Sequence, residues 1–285
     1  MSLTLRPGTP DDADELGRIC FEAFHAIATA HNFPPDFPDA GFATFVISTM
    51  LANPRIYSVV AELDGEVVGS NYLDERSAIT GVGPITVDPR VQDGRIGRAL
   101  MHDVMRRSDD SDAPGIRLVQ SGYHNRSFSL YMKLGFDARE QLAAVQGPVV
   151  DFRVERHAVR AATDADLDAC DALCRRVHGH DRHGELAEAT AGGMALAVEH
   201  DGRITGYSTG LGFVGHCVGE SNDDLKALVG SNREIFGPGI LIPTRNGELL
   251  RWLFDQGFRV SQLMTLMARG LYIEPAGAFV PSILF

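Results

Sequence analysis

Lysine is almost missing from this chain: Lys133 and Lys226 are the only two in 285 residues, so arginine carries nearly all the basic charge. That bias fits a GC-rich bacterial genome and points to no mechanism. Basic residues are scarce overall, 26 against 38 acids, for a net charge of −12 at pH 7. The deficit argues against a nucleic-acid-binding surface, because neutralising phosphates takes clustered Arg and Lys. Long apolar runs are missing too. None approaches the roughly 18 residues that span a bilayer, and MSLTLRPGTPDDADEL has no basic segment followed by an apolar one, so no membrane contact is expected and the expected location is the cytoplasm. The four cysteines form no CxxC pair and have no secreted context, so free thiols are expected. Cys170, Cys174 and His178 recur at helical spacing, with His180 and His183 beyond. Thiolate and imidazole suit zinc. The same spacing equally suits small cysteines packing one face of a helix, and no metal is expected.

What is present is the composition of an ordinary globular chain, 44% hydrophobic and 22% charged. Its length allows one large domain or two of ordinary size. Leu3 to Arg6 reads as a short strand, and Thr9-Pro10-Asp11-Asp12 as a helix start with a Thr cap and acids facing the dipole. Leu16, Ile19, Cys20, Phe24 and Ile27 then recur at helical spacing. A proline-rich loop follows, then a helix over Ala43 to Leu51. Tyr57 to Glu62 and Glu66 to Leu73 read as a hairpin turned by Asp64-Gly65. Ile85 to Val87 reads as a buried strand, Ile96 to Arg107 as a helix, Ile116 to Gln120 as a strand and Ser127 to Leu134 as a helix. This order predicts an α/β fold, a mixed sheet flanked by helices.

The second half echoes the first. Arg6-x-x-Thr9 returns as Arg160-x-x-Thr163, Asp64-Gly65 as Asp201-Gly202, and Leu134-Gly135-Phe136 as Gln256-Gly257-Phe258. Three echoes in one order predict two related domains, residues 1–147 and 157–285.

Chemistry concentrates in Val87-Asp88-Pro89-Arg90-Val91-Gln92-Asp93-Gly94-Arg95-Ile96-Gly97-Arg98. A strand ends, Asp-Pro turns the chain, and a glycine-containing loop opens a helix. Converging backbone N–H groups and the helix N-terminus make an anion site that needs no lysine. Gly94 and Gly97 allow close approach, and Arg98 adds charge. An ordinary strand–helix turn would use glycines in the same way.

Val-Asp-Pro followed by Gln92 and Gly97 resembles the acetyl-CoA loop of the GNAT acetyltransferases, although Arg95 stands where an inner glycine is usual and Gly94 is one place early. Asn125-Arg126-Ser127-Phe128-Ser129-Leu130-Tyr131-Met132-Lys133-Leu134-Gly135-Phe136 resembles a second segment of that family. The resemblance implies two GNAT-like domains in tandem. It implies acetyl-CoA as co-substrate, held by Ile85, Thr86, Val87, Gln92, Asp93, Gly94, Arg95, Ile96, Gly97, Arg98 and Asn125. It also implies Tyr131 as the general acid that protonates the departing sulfur, and a backbone N–H near Ile85–Val87 that stabilises the oxyanion. The implied activity is transfer of an acetyl group to a primary amine, of a small molecule or a peptide, by direct attack. Alternatives are a non-catalytic acyl-CoA-binding module and a transferase for longer acyl chains.

A base is harder to name, since Ile85-Thr86-Val87 offers no glutamate. Candidates are Asp74, Glu75, His124 and the terminal carboxylate of Phe285, while His25, His31, Phe33 and Asp36 are expected near the acceptor cleft. In the second half Leu253 stands in the place of Tyr131, and Gly219-Glu220-Ser221-Asn222-Asp223-Asp224 replaces the loop. Acids repel a pyrophosphate, so this half is expected to lack a cofactor site and to serve packing, cleft-shaping or dimerisation.

Overall fold

A computed structural model of the chain describes residues 2–92 and 95–284. The first half contains β1 (Leu3–Pro7), α1 (Ala13–Ala30), α2 (Ala40–Ala52), β2 (Ile56–Leu63), β3 (Glu66–Asp74) and β4 (Thr80–Val82). It continues with β5 (Thr86–Val87), α3 (Ile96–Asp110), β6 (Gly115–Ser121), α4 (Asn125–Lys133) and β7 (Asp137–Gln146). The second half contains β8 (His157–Ala161), α5 (Leu167–His178), α6 (His183–Ala191), β9 (Leu196–His200), β10 (Arg203–Ser208) and β11 (Cys217–Gly219). It ends with α7 (Asn222–Ser231), β12 (Ile240–Pro243), α8 (Gly247–Asp255), β13 (Arg259–Gly270) and β14 (Ala278–Val280).

The two helix starts are built alike. Arg6 donates to Glu62 at 2.6 Å and to both Asp12 oxygens at 2.8 and 2.7 Å, while Asp12 accepts from the Thr9 amide and hydroxyl at 2.8 and 2.9 Å. Arg160 repeats the set on Glu199 (2.6 Å) and Asp166 (2.7 Å), with Thr163 donating at 2.8 and 2.9 Å. The guanidinium of Arg6 holds the Asp12 carboxyl down at about 2. Both hairpins also turn alike: Asp64-Gly65 and Asp201-Gly202 have positive φ at both residues, as a two-residue type I′ turn requires.

Sheet pairing crosses the midpoint of the chain. In the larger sheet the order is β1-β2-β3-β4-β6-β13-β7-β12, with β5 added to β3. Thus β6 is followed not by its sequence neighbour β7 but by β13, antiparallel from Met264↔Ser121 to Gly270↔Gly115. β7 in turn pairs with β13 and β12. Strands covered on both sides read as nearly continuous apolar runs, and Leu142–Val145 and Met264–Ala268 are buried accordingly. The smaller sheet is β14-β11-β10-β9-β8.

Helices cover both faces of β2 and β3. Leu100, Met101 and Val104 of α3 are fully buried on one side, and Leu16, Cys20 and Ile47 of α1 and α2 on the other. Each such side chain contributes about 1.5–3 kcal/mol relative to exposure. Cys170 and Cys174 are buried in the face of α5 that packs on Tyr207 and Phe279. Among the described residues no group of His, Cys, Asp and Glu is arranged to hold a metal ion, and no helix is long and apolar enough to cross a membrane.

The halves meet closely where α6 rests on the chain after β3. A Cβ at Gly184 would lie 2.2 Å from the Arg76 carbonyl oxygen. Around this contact Glu188 accepts from Arg55 at 2.6 Å and Arg76 at 2.8 Å.

Candidate active site

β4 runs parallel to β6 for three residues, Thr80–Val82 beside Ile116–Leu118. The chain then leaves β6 through the cis Gly83–Pro84 peptide and joins β3 again as β5, with Thr86 opposite Ser70 and Val87 opposite Gly69. β6 continues to Ser121 with β13 on its other edge and, among the described residues, nothing paired on the β4 side. The two strands therefore splay, and the wedge between them opens into a cleft of about 1690 Å³. Ile85, expected inside a strand, lies just before β5 because only two residues regain pairing with β3.

The turn after β5 is pinned from below. Asp88 is buried and caps the following turn by accepting from the Arg90 amide at 2.9 Å; its carboxylate also meets the guanidinium groups of Arg90 and Arg18. The Arg90 pairing, with Arg18 adding to it, holds the Asp88 carboxyl down at about 2, so it is a fixed anion at neutral pH. Arg95 then takes the left-handed conformation, φ +62°, and caps α3. This is the conformation that a glycine adopts without strain. Among the described residues, a Cβ at Gly97 would meet nothing closer than Val87 Cγ2 at 3.8 Å.

On the other lip α4 begins beside the end of β6. His124 caps it, its Nδ1 accepting from the Ser127 amide at 3.3 Å, and Asn125 is the first helical residue. Tyr131 is 5% exposed, lies edge-on to Phe136 and lines the cleft. Burial pushes its phenol up to about 12, so it keeps its proton throughout the neutral range.

Ten of the twelve residues expected at the site line this single cleft: Ile85, Thr86, Val87, Gln92, Arg95, Ile96, Gly97, Arg98, Asn125 and Tyr131. The other two, Asp93 and Gly94, lie outside the described residues. The base candidates do not gather there. Asp74 is held by Arg76 at 2.9 and 3.0 Å and Glu75 by Arg107 at 2.8 and 3.0 Å, and neither lines the cleft. His124 does line it, but its Nδ1 lone pair caps α4 and burial lowers its pKa, so the neutral ring carries its proton on Nε2 and has no lone pair left for a base. Phe285 lies outside the described residues. Asp36 lines the cleft, whereas Phe33, stacked on Tyr123, and His31, tilted against the same ring, are not among its lining residues.

The far wall was not visible in the linear pattern. Glu185, Glu188, Met194, Thr209, Phe213 and Phe236 all line the same cleft from the second half, together with Ile283 and Leu284 of the tail. The tail reaches it because the Ile283 amide donates to the Phe213 carbonyl at 2.6 Å and Leu284 lies against Gly81, where a Cβ would stand 2.1 Å from the Leu284 oxygen. Apart from Arg76, which is already paired with Asp74 and Glu188, charge is segregated within the cleft. Arg95, Arg98, Arg126 and Lys133 come from α3, α4 and their loops, whereas the acids Asp36, Glu185 and Glu188 come from the α1–α2 loop and the second half.

Residues 21–136 match the sequence profile of the acetyltransferase (GNAT) family. No curated protein sequence matches the chain significantly. Among solved structures, a candidate acetyltransferase from Pyrococcus horikoshii aligns over 99% of this chain and 94% of its own, with TM-score 0.74 and 19% identity. A GCN5-related N-acetyltransferase from Sphaerobacter thermophilus aligns over 97% and 98%, with TM-score 0.64 and 16% identity. At these identities the two structures speak to the fold, which they share with this chain from end to end. The splayed strands, the capped loop and the tyrosine-bearing helix all fall within the matched segment: residues 21–136 are a domain of the acetyltransferase (GNAT) family.

Proposed function

We propose that the protein transfers an acetyl group from acetyl-CoA to a primary amine in this cleft. The observation that carries the reading is the convergence of the splayed β4–β6 wedge, the α3 N-terminus and Tyr131 on one cavity. The residues present fit the co-substrate. Thr86 Oγ1 and Gln120 Oε1 are buried along the wedge without hydrogen-bond partners among the described residues, and an extended chain bearing amides would satisfy both. The first amides of α3, with Arg95 and Arg98, offer the diphosphate an anion site. When bound, acetyl-CoA supplies a thioester whose carbonyl carbon is open to attack.

The residues divide the work. Backbone around Ile85–Val87 aligns the acyl chain, and Asn125 holds the arm at the start of α4. Tyr131 donates its phenolic proton to the leaving sulfur as the amine lone pair forms the C–N bond and the C–S bond breaks. The nitrogen sheds a proton, and Tyr131 is reprotonated from solvent, so the products are the amide and free thiol. No carboxylate is assigned as base.

Purified protein with acetyl-CoA and primary amines should release free thiol and yield acetylated amine. Tyr131→Phe should lower kcat by about 100-fold or more, the range for a lost general acid, with the KM for acetyl-CoA unchanged. Thiol release unaffected by that change would remove Tyr131 from the mechanism. Tight CoA binding with no turnover of any amine would make the protein a binding module instead.

A further inference from the structure

Among the described residues three carboxylates line the cleft, and two of them are already neutralised. Glu185 is gripped by Arg182 at 2.8 and 2.6 Å, and Glu188 by Arg55 and Arg76. Asp36 differs. Its described partner is the neutral amide of Gln262 on β13, which donates at 3.0 Å, and it has no ion pair among the described residues. Burial raises this carboxyl to about 6, with the Gln262 hydrogen bond only partly offsetting it, so at neutral pH the site holds a poorly solvated anion.

The walls around it are apolar. Phe42, Phe45, Met194 and Val214 line the cleft while 37, 66, 53 and 60% exposed, and Phe37 and Phe213 line it beside them. Large apolar side chains gathered on one concave surface mark a binding wall. These groups come from the α1–α2 loop, α2 and the second half, whereas Arg95, Arg98, Arg126 and Lys133 come from the α3–α4 lip.

We infer that the acceptor is a small primary amine carried on a bulky apolar body, its ammonium seated against Asp36 on binding and losing one proton to solvent before its lone pair attacks, and its body against the phenylalanine-lined wall. This rests on the acyl-transfer reading above and adds the class of acceptor and the residue that recognises it. The net charge of −12 draws a cation to the cleft, but spermidine or an aminosugar would leave the apolar wall wet.

The test uses the full chain at saturating acetyl-CoA with butylamine, hexylamine, octylamine, 2-phenylethylamine, glucosamine, spermidine and a short peptide with a free N-terminus. Product is read by mass spectrometry and thiol release. From butylamine to octylamine, kcat/KM should rise about fourfold per methylene. Asp36→Asn keeps the hydrogen-bonding shape and should raise the amine KM about tenfold to a hundredfold, with the KM for acetyl-CoA unchanged. Val214→Asp, at an exposed position, should flatten the dependence on chain length. Spermidine, glucosamine or the peptide turned over better than octylamine would overturn the inference while leaving acyl transfer standing. So would an amine KM indifferent to Asp36→Asn. Calorimetry with CoA alone separates the two levels: no CoA binding would sink the acyl-transfer reading itself, and this inference with it.

Discussion

Apart from β5 in the first half and β14 in the second, the two halves repeat one order of strands and helices, yet they treat one gap oppositely. In the first half β4 and β6 part after Val82 and leave a wedge open to the cleft. In the second half the corresponding strands, β11 and β12, do not pair at all. β14 lies against β11, with Cys217 opposite Val280 and Gly219 opposite Ala278, and shares a core with Ile240 and Ile242 of β12. The place that an acyl arm would take is filled by the chain's own C-terminal strand. The same tail then continues as Ile283 and Leu284 into the first half's cleft. A repeated fold thus carries one open site and one closed one, and the segment that closes the second helps to shape the first.

The sharpest way to break this comparison is to spoil the filling. Val280 is 1% exposed between β11 and the β12 layer. Val280→Asp should cost about 4 kcal/mol in urea unfolding, the upper range for a charge forced into a core. A loss below about 1 kcal/mol would mean that β14 is dispensable packing. The next test compares the two helix starts. Gly97→Glu puts an anion where the cleft expects a diphosphate and where a Cβ meets no clash. CoA affinity by calorimetry should fall more than about 100-fold, with the melting temperature little changed. Asp223→Ala, at the second position of α7, should leave that affinity unchanged. Equal effects at the two positions would mean that the cofactor site has been assigned to the wrong half.

What the amino-acid sequence made legible was local. The Val87–Gly97 segment and the Asn125–Phe136 helix are contiguous in the chain, so their residue types and spacing pointed to one place, and that is where they meet. The repeated Arg–Thr–Asp helix start was visible as Arg6-x-x-Thr9 and Arg160-x-x-Thr163 because all but one of its partners lie within six residues. β4 escaped notice: Thr80-Gly81-Val82 is short, contains glycine and is held between β3 and β6, the latter more than thirty residues on. The entry of β13 between β6 and β7 leaves no local mark either. β6, β7 and β13 each carry an apolar run, and nothing in Leu263–Ala268 names its neighbours. The far wall of the cleft is hidden for the same reason. Phe213 and Glu185 reach the site only through the contact of the two halves.

The loops after α1 and α5 give the comparison its finest test. In the second half that loop ends in Arg182, buried and paired with Glu185, so its charges are satisfied. In the first half it carries Asp36, half-buried and with no ion pair among the described residues. Departures from local satisfaction of this kind gather at functional sites. Since its folded pKa, about 6, lies above the ordinary aspartate value of 3.8, Asp36 binds a proton more tightly in the fold than in the unfolded chain. Its contribution to stability is therefore fully present below about pH 4 and is lost as pH rises through 6. Above that point the carboxylate opposes folding, so Asp36→Asn should be more stable than the wild type at pH 8 by about 1–2 kcal/mol, after allowing for partial exposure. The two should converge at pH 4, where the wild-type side chain is also neutral in the fold. Urea unfolding at the two pH values checks this. An advantage that is the same at both would mean that the substitution acts through packing and that Asp36 holds no strained charge for a substrate to relieve.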